Sequence, residues 1–222
     1  LEEDFLTLKF KGSAGQSFGA FGVKGLKLIL KGDANDYVAK GLSGASISIK
    51  LPEESNLISS ENTIIGNTVL YGATSGKLFV AGQAGERFAV RNSGAVSVIE
   101  GCDSNGCEYM TGGNVVILGD VGDNFAAGMT GGMAFIYDLN NQFEKKVNPE
   151  TVVWQKLETQ YWINYLKSLI KEHYNETNSN LSKKIIDNFD NEINNFFQVC
   201  PKEMINKLKN PITYNPIIKE VS

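Results

Sequence analysis

Phe5 to Lys11 alternates apolar and polar residues, Phe-Leu-Thr-Leu-Lys-Phe-Lys, the period of two expected of a strand with one buried face. Further on, the apolar positions gather into short runs, and a Gly precedes each one. Gly25 opens Leu26 to Lys31, and Ser43-Gly44 opens Ala45 to Lys50. Ser75-Gly76, Ser93-Gly94, Thr111-Gly112 and Thr130-Gly131 open Lys77 to Ala81, Ala95 to Glu100, Asn114 to Leu118 and Met133 to Tyr137. Runs of five or six residues rich in Val, Ile, Leu and Phe predict strands. The Gly, Asn, Asp and Ser between them predict tight turns.

The spacing of these runs predicts how the strands are joined. From Gly to Gly the steps are 19, 32, 18, 18 and 19 residues, and a fixed step of this kind marks a repeat. Helix-pair repeats need about 33 residues or more and propeller blades about 40, so a step of 18 or 19 accommodates one strand and its corners. Each turn then lays a strand parallel to the last, and parallel crossovers are overwhelmingly right-handed. The prediction is a mainly β fold, a right-handed parallel β-helix of about seven turns. Corner glycines are expected to supply φ > 0, and Gly94 and Gly131 are expected to exclude any side chain. The long step contains an excursion, Pro52 to Glu61, and a short strand near Asn62 to Ile65.

All 23 glycines precede residue 133, and the pattern changes there. Tyr161, Trp162, Tyr165, Leu166, Leu169, Ile170 and His173 recur at spacings of three and four, the stripe of an amphipathic helix. Asn178 to Asn180 breaks it, and the Asn-rich stretch Asn175 to Asn180 reads as exposed loop. Ile185, Ile186, Phe189, Ile193 and Phe196 predict a second helix, ended by Cys200-Pro201. The expected organisation is a β-helix over residues 5–148, a helical cap or tail over 149–210, and an extended or disordered tail over 211–222. An open solenoid leaves strand edges at its ends, and the helical segment is expected to cap one of them.

Composition narrows the chemistry. A net charge of −4 and the absence of a basic stripe argue against nucleic acid. No run approaches 18 apolar residues, so no membrane span is expected. The start, Leu1-Glu2-Glu3-Asp4, predicts a piece of a longer chain. Three cysteines, Cys102, Cys107 and Cys200, form no even framework. They predict free thiols and a reducing intracellular compartment, cytoplasm or organelle interior.

Gly15-Gln-Ser-Phe-Gly19-Ala-Phe-Gly22 lacks the opening of a dinucleotide loop, and Gly72-Ala-Thr-Ser-Gly76-Lys77-Leu78 is one residue short of a phosphate loop. Corner glycines explain both. The charge-dense corner is Gly85-Glu86-Arg87-Phe-Ala-Val-Arg91-Asn-Ser-Gly94. Glu86, Arg87 and Arg91 are the candidate contact residues, either an anion site or an ion-paired corner that docks on another surface. The lone His173 reads as surface or helix packing. No nucleophile–base pair, flavin motif or metal-ligand spacing is present, so no catalytic, cofactor-binding or metal-binding residue is assigned.

Several phrases carry a resemblance. Gly12-Ser-Ala-Gly-Gln-Ser-Phe-Gly19, Gly32-Asp-Ala-Asn-Asp-Tyr-Val38 and Ile65-Gly-Asn-Thr-Val-Leu-Tyr-Gly-Ala73 closely resemble the C-terminal domain of the glutamate synthase family. So do Ala84 to Gly94, Cys107-Glu-Tyr-Met-Thr-Gly-Gly113 and Gly128-Met-Thr-Gly-Gly132. The resemblance implies a β-helix that serves as a rigid spacer and is not itself catalytic. The implied parent hydrolyses glutamine at an N-terminal cysteine and passes ammonia to a domain with FMN and an iron–sulfur cluster. There 2-oxoglutarate becomes glutamate. NAD(P)H, through a flavoprotein region, or ferredoxin supplies the electrons. The implied partners are the other domains of the same polypeptide. Two alternatives stay open: a scaffold subunit resembling that of formylmethanofuran dehydrogenase, and a carbohydrate-active β-helix protein, which would group carboxylates on one outer face.

Overall fold

The computed structural model describes residues 2–213. Each apolar run becomes one strand, and two short strands that were not expected, β6 and β8, join them: β1 (Leu6–Ser13), β2 (Leu26–Asp33), β3 (Ser43–Lys50), β4 (Thr63–Ile65), β5 (Ser75–Ala81), β6 (Gln83–Ala84), β7 (Ser93–Ile99), β8 (Gly101–Cys102), β9 (Thr111–Ile117) and β10 (Gly131–Tyr137). The chain continues through α1 (Phe143–Lys146), β11 (Val152–Lys156), α2 (Gln160–Thr177), α3 (Asn180–Asp187), α4 (Phe189–Glu192) and β12 (Phe196–Pro201).

Strands β1, β2, β3, β5, β7, β9 and β10 stack parallel in that order. They make a β-helix of seven rungs, as the repeat predicts. One ladder of partners runs Leu8, Leu28, Ile47, Leu78, Ser97, Val115, Ala134. These side chains face the interior, and successive rungs bury one another in a continuous column. The excursion returns through β4, which begins a second parallel sheet with β6 and β8.

The glycine expectation holds only in part: Gly25, Gly44 and Gly76 are left-handed at φ 93°, 115° and 104°, but most left-handed residues of the corners are not Gly. Positive φ recurs at alternate residues in six triplets: 17, 19, 21; 37, 39, 41; 68, 70, 72; 87, 89, 91; 105, 107, 109; and 124, 126, 128. Of those 18 positions only four are Gly. A left-handed residue costs roughly 1–2 kcal/mol, and neighbouring turns offset this through hydrogen bonds worth about 1 kcal/mol each. The first and third residues donate forward, as in Arg87 N–H to Ser104 O at 2.9 Å and Arg91 N–H to Glu108 O at 3.0 Å. The middle residue donates backward, as in Ala89 N–H to Val69 O at 2.9 Å. Middle side chains point inward, which is why Ala39, Leu70, Ala89, Cys107 and Ala126 are fully buried.

Gly94 and Gly131 lie at strand starts rather than corners, and neither is left-handed. Packing excludes a side chain there. A Cβ on Gly94 would sit 2.1 Å from Thr74 O, and one on Gly131 2.0 Å from Thr111 O.

After Pro149 the expected helical segment is present as α2, α3 and α4, but its last stretch departs from the helical reading. Phe196 to Pro201 is β12, an antiparallel strand on β10 with Ala134 opposite Val199, and β11 adds outside it. The alternation Phe196, Gln198, Cys200 against Phe197, Val199 competes with the helical spacing, and the free edge of β10 decides for strand. So strands, not helices, close this end of the solenoid. Helix α2 lies along the outer face of the sheet instead, where Phe79, Val98, Val116 and Phe135 form a second core with Leu166, Leu169 and Ile170. Asn178, left-handed at φ 57°, ends α2, and Ser179 caps α3 by accepting from Ser182 N–H. Asn175, Asn178 and Asn180 are exposed as expected, but Asn175 to Thr177 belong to α2, and buried Thr177 and Ser179 anchor the joint between the helices. The predicted extended tail falls mostly outside the described residues. Before it, the Trp162 indole donates to Asn210 O at 3.1 Å.

The two ends of the stack differ. All eight residues of β1 are exposed, whereas at β10 all but Gly132 are buried.

Candidate interdomain surface

Glu86, Arg87 and Arg91 lie on the fourth corner, between β6 and β7. Alternation around the left-handed triplet turns residues 87 and 91 outward and Ala89 inward, so the two arginines share one face. In the column containing Arg91 the other rungs carry Phe21, Gly41, Gly72, Tyr109 and Gly128. The glycines make room for rings. A Cβ on Gly41 would lie 2.6 Å from the Phe21 ring, and one on Gly128 2.5 Å from the Tyr109 ring.

Arg87 pairs with Glu108 on the next rung, Nε to Oε2 at 3.7 Å, and its side chain stays 53% exposed. Glu108 was not singled out by the sequence. The signal was its place one rung on, 21 residues after Arg87 in a repeat of 18 or 19. A half-exposed pair of this kind contributes at most about 1 kcal/mol. Glu86 is exposed, and its amide donates to Asn67 Oδ1 at 2.8 Å. Neither Glu86 nor Arg91 forms a salt bridge among the described residues. The corner's backbone is hydrogen-bonded to the rungs on both sides, and among the described residues two of its surface charges are unpaired.

The reactive side chains lie elsewhere, and the fold subdues them. Cys102, Cys107 and Cys200 are free and buried. Burial pushes the Cys102 and Cys200 thiols up to about 12 and raises Cys107 well above the ordinary thiol range. His173 is fully buried between α2 and β5. Its Nε2 donates to Val80 O at 2.9 Å, so Nδ1 accepts from the Ser182 hydroxyl at 2.6 Å. Burial lowers its pKa from 6.5 to about 4, so the ring is a neutral clasp. Glu100 is buried at the end of β7. One oxygen accepts from the Ser179 hydroxyl, the other has no partner among the described residues, and burial raises its pKa. Among the described residues no cluster of three or more His, Cys, Asp or Glu is placed to hold a metal, and no helix is long and apolar enough to cross a membrane.

The family profile described as the GXGXG motif matches residues 1–202. The chain belongs to the GXGXG family. This GXGXG domain is 58% identical over 212 residues to the glutamate synthase [NADPH] large chain of Azospirillum brasilense. It is 50% identical over 203 residues to glutamate synthase [NADH] of Schizosaccharomyces pombe. Against ferredoxin-dependent glutamate synthase 2, chloroplastic, of Arabidopsis thaliana it is 50% identical over 196 residues. The matches cover 96%, 91% and 88% of this domain but only 14%, 10% and 12% of those proteins. The GXGXG domain therefore spans about a tenth to a seventh of the relatives it matches.

Proposed function

We propose that this GXGXG domain is the non-catalytic C-terminal scaffold of a glutamate synthase. That enzyme converts glutamine, 2-oxoglutarate and reductant into two glutamates. In this reading the β-helix holds the glutaminase and FMN domains at a fixed separation, so that ammonia released at one reaches the other. FMN, the iron–sulfur cluster and the entry of electrons belong to other domains, and the reaction runs inside the cell.

One observation carries the reading. Relatives named for NADPH, NADH and ferredoxin match the domain along nearly its whole length at 58%, 50% and 50% identity. A region that received electrons or held their carrier would be expected to differ with the donor. A rigid spacer would not. The inward-turned thiols and the buried His173 support the same reading, because a nucleophile must be reachable and a general base must titrate near its working pH.

Arg87 gives the test. Arg contacts desolvated at an interface are often worth 2 kcal/mol or more. In the full-length enzyme Arg87→Ala is expected to let glutamine hydrolysis exceed glutamate formation, since misplaced domains leak ammonia. Tight one-to-one stoichiometry in that variant removes the corner from the interdomain contact. Measurable glutaminase turnover or FMN binding by the purified 222-residue chain overturns the scaffold reading itself.

A further inference from the structure

The first rung is built like the others, but among the described residues nothing lies behind it. Leu6 N–H donates to Gly25 O at 2.9 Å and Ala14 N–H to Asp33 O at 2.8 Å. Backbone groups alternate sides along a strand, so Leu8, Phe10 and Gly12 address β2. Thr7, Lys9 and Lys11 turn their N–H and C=O groups to the open side. The corner repeats this. In later rungs the middle triplet residue donates backward, Ala39 to Phe18 O at 2.9 Å and Cys107 to Phe88 O at 2.7 Å, and residues such as Asp36 and Lys40 accept from behind. The counterparts in the first rung are the Gly19 amide and the Gln16 and Ala20 carbonyls. None of these has a backbone partner among the described residues.

The interior column is open at the same place. Leu8 is 39% exposed where Leu28, one rung on, is 6%, and Phe10 is 43% exposed where Leu30 is 1%. Outside, Lys11 stacks on Lys31 and Lys31 on Lys50. Glu54 and Glu53 of the excursion relieve this run of like charges. An uncovered edge of eight residues without a proline or bulge is a template for strand addition.

We propose that β1 is a strand-acceptor edge, occupied in the full-length enzyme by an extended segment of the same polypeptide. This rests on the reading of the chain as one domain of a longer protein. The segment is apolar at alternate positions, over Leu6, Leu8 and Phe10, and acidic at those over Lys9 and Lys11. The molecule already uses this device at its other end, where β12 pairs with β10 and Val199 covers Ala134. Charge argues against a second copy in this place, because pairing β1 with itself sets Lys9 and Lys11 beside the same lysines.

The test is residue-resolved hydrogen exchange on the full-length enzyme. The amides of Thr7, Lys9 and Lys11 are expected to exchange at least about 100-fold more slowly than unprotected amides, as is expected of Leu8 and Phe10, which are bonded to β2. Exchange of the first three at the unprotected rate, with Leu8 and Phe10 slow, overturns the proposal. Protection that rises with protein concentration also overturns it, in favour of a second copy. Lys9→Pro removes one outward donor and no bond to β2. It is expected to speed exchange at Thr7 and Lys11 about tenfold or more while Leu28 and Leu30 stay protected. Unchanged protection at Thr7 and Lys11 in this variant shows a cover other than a strand and rejects the proposal. Failure here with ammonia transfer intact leaves the scaffold reading standing, and failure of coupling with the edge protected does the reverse.

Discussion

The two ends of the β-helix carry the same rung and opposite surroundings. At β10 the chain returns as β12 and β11, α1 closes the last corner through Phe125 N–H to Lys146 O at 2.9 Å, and Phe196 and Val199 are fully buried. At β1 the same geometry ends in exposed Phe5, Leu6, Leu8, Phe10, Phe21 and Val23. A parallel rung is stable in proportion to what covers it, so identical strand chemistry is expected to have unequal stability along the stack.

The largest expected difference sits in the glycines. Gly131→Val places a branched side chain against Thr111 O and should cost about 3–5 kcal/mol. At the open end Gly15, φ +71°, has nothing within 4 Å of a Cβ, so Gly15→Ala should cost only its backbone strain, about 1–2 kcal/mol. Urea denaturation of the two variants measures this, and equal losses break the comparison.

Truncating an aromatic at each end is the next contrast. Phe196→Ala empties a site in the second core and should cost about 3–4 kcal/mol. Phe10→Ala removes a half-covered ring and should cost about 1 kcal/mol or less in the 222-residue chain. A much larger loss at Phe10 would mean that the first rung is already sealed.

His173 clasps the covered part of the sheet, and pH reads it. Its folded pKa of about 4 lies below its unfolded value of 6.5. The unfolded chain therefore binds the extra proton, and the clasp's contribution is complete above pH 6.5. It is lost as pH falls toward 4, up to about 3 kcal/mol. Glu100 opposes this, because its raised pKa makes the folded state bind a proton as pH falls. Urea midpoints in the Glu100→Gln background remove this opposing group. Above about pH 5 the carboxylates with lowered pKa, Glu53, Glu54 and Glu192, add little, so a flat profile from pH 7 to 5 contradicts the assignment. The smallest effect belongs to Arg87, halfway along the stack, where Arg87→Ala should change stability by less than about 1 kcal/mol. Unfolding of that variant would place the arginine inside the structure.

The stacked part of the fold was readable because a period of two inside each run and a period of 18 or 19 between runs agree on one architecture. Two features escaped. Corner residues such as Tyr37, Arg87 and Asn105 adopt φ > 0 without being Gly, because inter-turn hydrogen bonds override the intrinsic preference, and no local pattern reports a bond to the next turn. Phe196 to Pro201 read as the end of a helix because Ile193 and Phe196 fit the helical spacing, while the edge that claims the segment lies about 60 residues earlier. Of the candidate surface, the charged corner was legible as a run of charges. Its partner Glu108 sits on the next rung, and only the rung spacing connects them.

Hydrogen exchange across all seven rungs of the 222-residue chain tests the inequality of the two ends most directly. If covering sets stability, the amides of Ala134 and Ile136 in β10 should exchange only on global unfolding. Those of Leu8 and Phe10, bonded to β2 in the same parallel pattern, should exchange about 100-fold faster or more by fraying from the open end. Equal protection at β1 and β10 would contradict the account, because the rungs would then stand or fall together whatever lies against them.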